Sequence, residues 1–176
     1  FRGKIQARVE STGARPPVRF FENELLNMPV RHDAGWYLQS AIYVTHAVLP
    51  IMRAQKDGLI INVASMAGRV VGVMSGPGYV ASKHGMVAMS HSINMEECVN
   101  GIRACALCPA EVATPILDRR PVPPSPEERA RMLQADDLGK TIRWVAEQPA
   151  HVCINEITIS PTWNRMYIGG ADLKPQ

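Results

Sequence analysis

An α/β fold built on a parallel sheet is predicted by three observations. Short apolar runs of strand length stand at 58–65, 102–107 and 152–160. Segments with helical periodicity, at 36–55, 79–98 and 136–148, alternate with them along the chain. The strands are apolar along their whole length rather than at every second position. Such strands are buried on both faces, as in a parallel sheet with helices above and below.

Each element has a local justification. Residues 14–35 contain Pro16, Pro17, Pro29 and Gly35, which break any periodicity, and they read as irregular. The helix at 36–55 carries apolar positions at Leu38, Ile42, Val44, Val48, Leu49 and Met52; Pro50 falls inside it and is expected to kink or end it near its last turn. The strand at 58–65 reads as buried and closes on the hydroxyl of Ser65. A second long helix, rich in Ala, Met and Val, covers 79–98, and the strand at 102–107 delivers the loop from Pro109 to Thr114. Ser125 as N-cap, Pro126 at the first helical position and Glu128 two residues later start a helix with a capping box, running to about Gln134. Asp136 and Asp137 are expected to cap a further helix that ends near Gln148 and Pro149. The last strand is 152–160, and the tail at 162–176 is polar.

The chain of 176 residues has the size of a single domain, 1–176, large enough for a real core. Hydrophobic content of 46% and charged content of 20% are those of a soluble globular protein. A net charge of +3 is mild, and the densest basic stretch, Arg119, Arg120, Arg129 and Arg131, is interrupted by prolines and by Glu127 and Glu128. A nucleic-acid partner needs a continuous basic face, so none is expected. No apolar run reaches the length of a membrane span, and no cationic and apolar leader opens the sequence, so a cytoplasmic protein without a membrane partner is expected. Cys98, Cys105, Cys108 and Cys153 read as reduced, mostly buried thiols. Cys105 and Cys108 are an odd number of residues apart on a strand and point to opposite faces, which argues against a shared metal. His84 and His91 are seven apart on one helix and read as helix-surface residues; no metal site is expected.

The chemistry concentrates in Tyr79-Val-Ala-Ser-Lys83, with Ser65 fourteen residues before the tyrosine. Positions 79 and 83 share a helix face, so a phenol and an ammonium can meet there. A nearby ammonium is expected to favour phenolate and to lower the tyrosine pKa, making a proton donor and acceptor usable near neutral pH. A serine at a strand's carboxyl end can hydrogen-bond the substrate oxygen that the tyrosine protonates.

Asn62-Val-Ala-Ser65-Met-Ala-Gly68, Tyr79-x-x-x-Lys83 and Cys108-Pro-Ala-Glu-Val-Ala-Thr114-Pro115 occur in the order and spacing of the short-chain dehydrogenase/reductase family, which the chain resembles. The resemblance implies a Rossmann-like fold and an NAD(P)-dependent oxidoreductase acting on a ketone or a secondary alcohol as small-molecule substrate. It implies Ser65, Tyr79 and Lys83 as catalytic residues, with Lys83 also on the cofactor ribose. Pro109, Val112 and Thr114 would lie at the nicotinamide, and Gly13 in the turn after the family's fourth strand. It further implies a homodimer or homotetramer formed by the helices at 36–55 and 79–98, and a lid over the substrate at 116–135.

Departures from the family are as informative. The fold is expected to be truncated at the N-terminus: the family's opening strand and glycine-rich turn, which bring the backbone to the pyrophosphate, are not in this sequence. Gly72-Val-Met-Ser-Gly76-Pro-Gly78 fits the pattern of that turn, but it lies between Ser65 and Tyr79 and reads as an active-site loop. Ala110 replaces a family glycine, which costs stability if the position needs a positive φ. Tyr37 stands where the family has an asparagine that holds a water in its proton relay. These departures keep two alternatives open. One is a cofactor-independent lyase, isomerase or cyclase using Tyr79 and Ser65, and the other a non-catalytic subunit. NAD against NADP preference is not legible in this chain.

Overall fold

The computed structural model describes residues 34–72, 75–120, 122–164 and 167. Within them run α1 (Ala34–Gln55), β1 (Gly58–Val63), α2 (Pro77–Glu97), β2 (Ile102–Pro109), α3 (Pro126–Arg131), α4 (Ala135–Ala146) and β3 (Glu156–Ile159), with 3-10 turns at Met66–Gly68, Cys98–Asn100 and Pro115–Arg119. The α/β class read from the sequence is the class observed: a parallel sheet of three described strands in the order β1-β2-β3. Parallel neighbours need long crossovers, which α2 supplies between β1 and β2, and α3 with α4 between β2 and β3.

β2 is the spine of the molecule. Ala104, Cys105, Ala106 and Cys108 have no exposed surface; β2 has strands on both edges, and α1 and α2 cover one of its faces. Alternation along the strand sorts its side chains. Ile102, Ala104, Ala106 and Cys108 face α1 and α2, joining Met86, Val87 and Ile93 of α2 and Leu38, Leu49 and Met52 of α1. Cys105 and Leu107 point the other way, as does Arg103, whose Nη1 donates to the carbonyls of Pro149 and Val152, both at 2.9 Å, just beyond α4. The two cysteines of β2 therefore occupy opposite faces, as their spacing requires.

Several boundaries differ from expectation for identifiable reasons. α1 continues through Pro50 to Gln55. Pro50 and His46, whose carbonyl loses its partner, are both exposed, so water can satisfy that carbonyl. β1 is half-buried rather than buried, with Val63 43% exposed, since among the described residues it pairs along one edge only. α3 keeps the expected capping box of Ser125 and Glu128 but stops at Arg131, because Met132 and Leu133 turn inward and are buried. α4 is capped two residues earlier than expected. Gln134 is its N-cap, and Asp137 closes the box by accepting from the Gln134 amide at 2.8 Å. Cys98 is exposed and Cys153 half-buried, so only Cys105 and Cys108 are the buried thiols expected of all four. Gly101 takes φ +72° between α2 and β2, where an added Cβ would stand 2.4 Å from the Lys56 carbonyl oxygen. Only glycine fits there. Among the described residues no helix is long and apolar enough to cross a membrane.

Candidate catalytic site

The ladder of β1 makes its last bond from the Ala64 amide to the Leu107 carbonyl at 2.7 Å, and the chain then leaves the sheet. Ser65, in extended conformation, caps the 3-10 turn Met66–Gly68, its Oγ accepting from the Ala67 amide at 3.1 Å. Gly68 lets this turn settle on α2, for a Cβ there would lie 2.6 Å from the Lys83 carbonyl oxygen. The close approach brings the serine hydroxyl to the first turns of α2, near enough to the Tyr79 phenol to influence its protonation.

α2 begins at Pro77, with Gly76 at φ +71° as its N-cap. The glycine pattern at 72–78 thus leads into this helix, with residues 73 and 74 outside the described residues. Tyr79 is half-buried and Lys83 only 6% exposed. The Lys83 Nζ donates to the Val63 carbonyl at 3.0 Å and lies 3.6 Å from the Met86 sulfur. It also stands over two rings, 5.1 Å from the centroid of Tyr37 and 5.6 Å from that of Tyr79. The two rings meet edge to face, with centroids 5.8 Å apart and an interplanar angle of 85°.

Burial governs the protonation of this group. It pushes the Lys83 ammonium down from 10.5 to about 8, partly opposed by the neighbouring Cys108. It raises the Tyr79 phenol above its ordinary value, against the nearby Ser65 hydroxyl, which pulls it down. The expected lowering of Tyr79 by Lys83 is therefore not the controlling effect. Desolvation of the phenol dominates, and Tyr79 stays protonated at neutral pH.

At the carboxyl end of the adjacent strand, Pro109 is buried and the following loop is fixed by backbone bonds. The Ala110 amide donates to Ile159 at 2.9 Å, the Ala113 amide to Leu133 at 2.8 Å, and the Leu133 amide to Glu111 at 3.1 Å, while Val112 bridges Leu133. Among the described residues the only non-glycine positive φ belongs to Lys56. Ala110 therefore occupies an ordinary backbone region, and the cost anticipated for replacing a glycine does not arise. Thr114 heads the 3-10 turn Pro115–Arg119 without spending its side chain on the cap. A hydroxyl, a rigid backbone shelf and the apolar Pro109 and Val112 fit a planar carboxamide-bearing ring. Gly13 lies outside the described residues.

The sequence reading missed two contributors. Asn164, 4% exposed, donates to the Met66 sulfur at 3.4 Å, so the start of the tail packs on the Ser65 turn. Trp163 receives the Arg131 guanidinium over its ring at 5.2 Å. A tryptophan within a polar tail was the available signal. His84 and His91 are engaged structurally. His84 Nδ1 lies 2.9 Å from the Val80 carbonyl, and His91 lies 3.2 Å from Glu156, which also pairs with Arg69 at 2.8 Å.

A family model described as short chain dehydrogenase matches residues 34–122. An uncharacterized oxidoreductase of Staphylococcus saprophyticus is 28% identical over 90% of this chain and 64% of its own length. Among solved structures, a betaketoacyl-[ACP] reductase from Bacteroides thetaiotaomicron is 29% identical, with a TM-score of 0.61 over 75% of this chain and 53% of that one. A serine dehydrogenase solved in closed form with NADP+ shares the fold at 24% identity, with a TM-score of 0.59 over 71% of this chain and 52% of its own. The chain spans about half to two thirds of the length of the relatives it matches.

Proposed function

The chain belongs to the short-chain dehydrogenase/reductase family, and on that premise we propose that it interconverts a ketone and a secondary alcohol with NAD(P)(H), using Tyr79 as general acid and base. The observation that carries this reading is the convergence of Ser65, Tyr79 and Lys83 where β1 gives way to α2, beside the loop that ends β2. In open α/β sheets ligands bind outside the carboxyl ends of the strands, and both segments leave the sheet at that end.

In the direction of reduction, the Tyr79 phenol gives its proton to the substrate oxygen, which Ser65 orients by a hydrogen bond. The phenol is protonated near neutral pH, so that proton is in place. Lys83 places a positive charge beside the phenolate that remains and stabilises it. The dinucleotide supplies the hydride when bound. Pro109, Val112 and Thr114 would hold its nicotinamide end, and Lys83 would reach its ribose. The segment at 116–135 is anchored by Leu117, Met132 and Leu133 and exposed across most of its middle. That arrangement suits a cover that excludes water over a bound substrate.

Two measurements test the reading. Titration of the 176-residue chain with NADH and NADPH, followed by nucleotide fluorescence, is expected to show saturable binding of at least one. Binding of neither would remove the proposal for this chain. Where turnover of a ketone is measured, Tyr79→Phe should lower it at least ~100-fold, since it removes the proton and keeps the ring. Turnover that needs no nucleotide would favour the cofactor-independent acid/base alternative.

A further inference from the structure

Lys83 is in an unusual position for a cation. At 6% exposure its ammonium has given up nearly all its water. An ammonium carries three donors, and a buried charge is costly unless those donors find partners. From β1 it receives the Val63 carbonyl, and from its own helix the Met86 sulfur, a weak acceptor. The titratable groups facing it are Cys108 from β2, Tyr79 from its own helix and Tyr37 from α1. Among the described residues, what remains to compensate the charge is the pair of aromatic rings. The ammonium and the two ring centroids form a triangle with sides of 5.1, 5.6 and 5.8 Å.

We propose that Tyr37 is a positioning residue, whose ring flanks the Lys83 ammonium next to that of Tyr79 and props the Tyr79 ring edge to face. Its support comes from behind. Tyr37 packs with Leu38 and Ala41 against the core cluster of Ala64, Met86, Val87, Ala106 and Cys108, so the ring is seated rather than hanging in solvent. Attraction between a cation and a ring face grows when water is excluded, as it is here. An asparagine at this place would offer an amide to a water; a tyrosine offers the cation a π face. At this place the chain therefore meets the Lys83 ammonium with an aromatic face instead of an amide. The consequence for turnover rests on the proposed role of Tyr79, whereas the contact itself does not.

The test compares Tyr37→Phe, which keeps the ring, with Tyr37→Leu, which keeps bulk and excludes water but removes the π face. The protonation of Lys83 is read from the pH dependence of its acylation rate, followed by mass spectrometry of the peptide that carries it. That readout needs neither substrate nor nucleotide, so it stands even if the chain reduces no ketone. Tyr37→Phe is expected to leave the Lys83 titration in place. Tyr37→Leu should move it downward by about half to one pH unit, roughly three- to tenfold in the protonation constant. If the leucine variant fails to fold by circular dichroism, Tyr37→Met serves in its place, since methionine adapts to an irregular gap. An unchanged or raised titration in the leucine or methionine variant, or a lowered one in Tyr37→Phe, overturns the proposal. Where turnover is measurable, the ring-deleted variant should lose kcat more than it changes KM, and Tyr37→Phe should restore kcat.

Discussion

Lys83 illustrates how a residue proposed to serve chemistry works against folding. Its pKa falls from 10.5 unfolded to about 8 in the folded chain, chiefly by burial. Between those values the unfolded chain holds a proton that the folded chain has released. Stability therefore rises as pH increases through the window from about 8 to 10.5, and the full penalty is present below about 8. A difference of this size corresponds to about 3 kcal/mol. Lys83→Met, which keeps the length of the side chain and removes the charge, should be more stable than wild type at pH 7. The advantage should fade above pH 10, as urea unfolding at a series of pH values would reveal. A methionine variant of equal or lower stability at pH 7 would mean that the two rings repay the desolvation in full. Tyr79 and Lys83 were legible in the sequence because one helical turn separates them whatever the tertiary context. The direction of the Tyr79 shift was not, because desolvation depends on what covers the ring.

At the scale of elements, one ion pair spans the joint between α1 and α2 beside their shared apolar packing. Glu97 closes α2, where a negative charge meets the unfavourable end of the helix dipole. Arg53, in the last turn of α1, offsets this. Its Nε donates to both carboxylate oxygens at 2.9 and 3.1 Å, its Nη2 also bonds Glu97, and Asn100 adds a bond at 3.0 Å. These bonds hold the Glu97 carboxyl near 2, below its ordinary 4.5. The stability that Glu97 contributes is present above about 4.5 and is lost as pH falls through about 2. Glu97→Gln should therefore lower stability at neutral pH and flatten the acid limb between about pH 4.5 and 2, measured by denaturant midpoints. An acid limb of unchanged slope would contradict this. Helix caps such as Ser125 and Glu128 could be read in advance because they are local. The pairing of Arg53 with Glu97, 44 residues apart, could not.

For the whole molecule, the outward faces of the two long helices raise the question of assembly. Trp36, Tyr43 and Ile51 on α1 are about half to two thirds exposed, and Met95 on α2 and the adjoining Val99 are 82% exposed. Ala81, Ala88 and Ser92 lie exposed on α2 and permit close approach of a second helix layer. We expect these faces to pair in a homodimer or homotetramer, with an interface on the order of 1,200–2,000 Å² or more. Sedimentation at micromolar concentration should give at least a dimer, and a monomer there would refute it.

By itself the sequence determined the order of strand and helix, the parallel sheet, the register of Ser65 with Tyr79 and Lys83, and the capping box of α3. All of these rest on periodicity, spacing or hydrogen bonds between near neighbours. Tertiary structure alone decided that Pro50 would not end α1, that Ala110 would need no positive φ, and that Asn164 would return to the Ser65 turn. It also decided that the Tyr37 ring would stand 5.1 Å from the Lys83 ammonium, beside that of Tyr79. Each of these outcomes depends on which distant surface arrives to bury, support or expose a residue. That is settled by the summed packing of the core rather than by any local pattern.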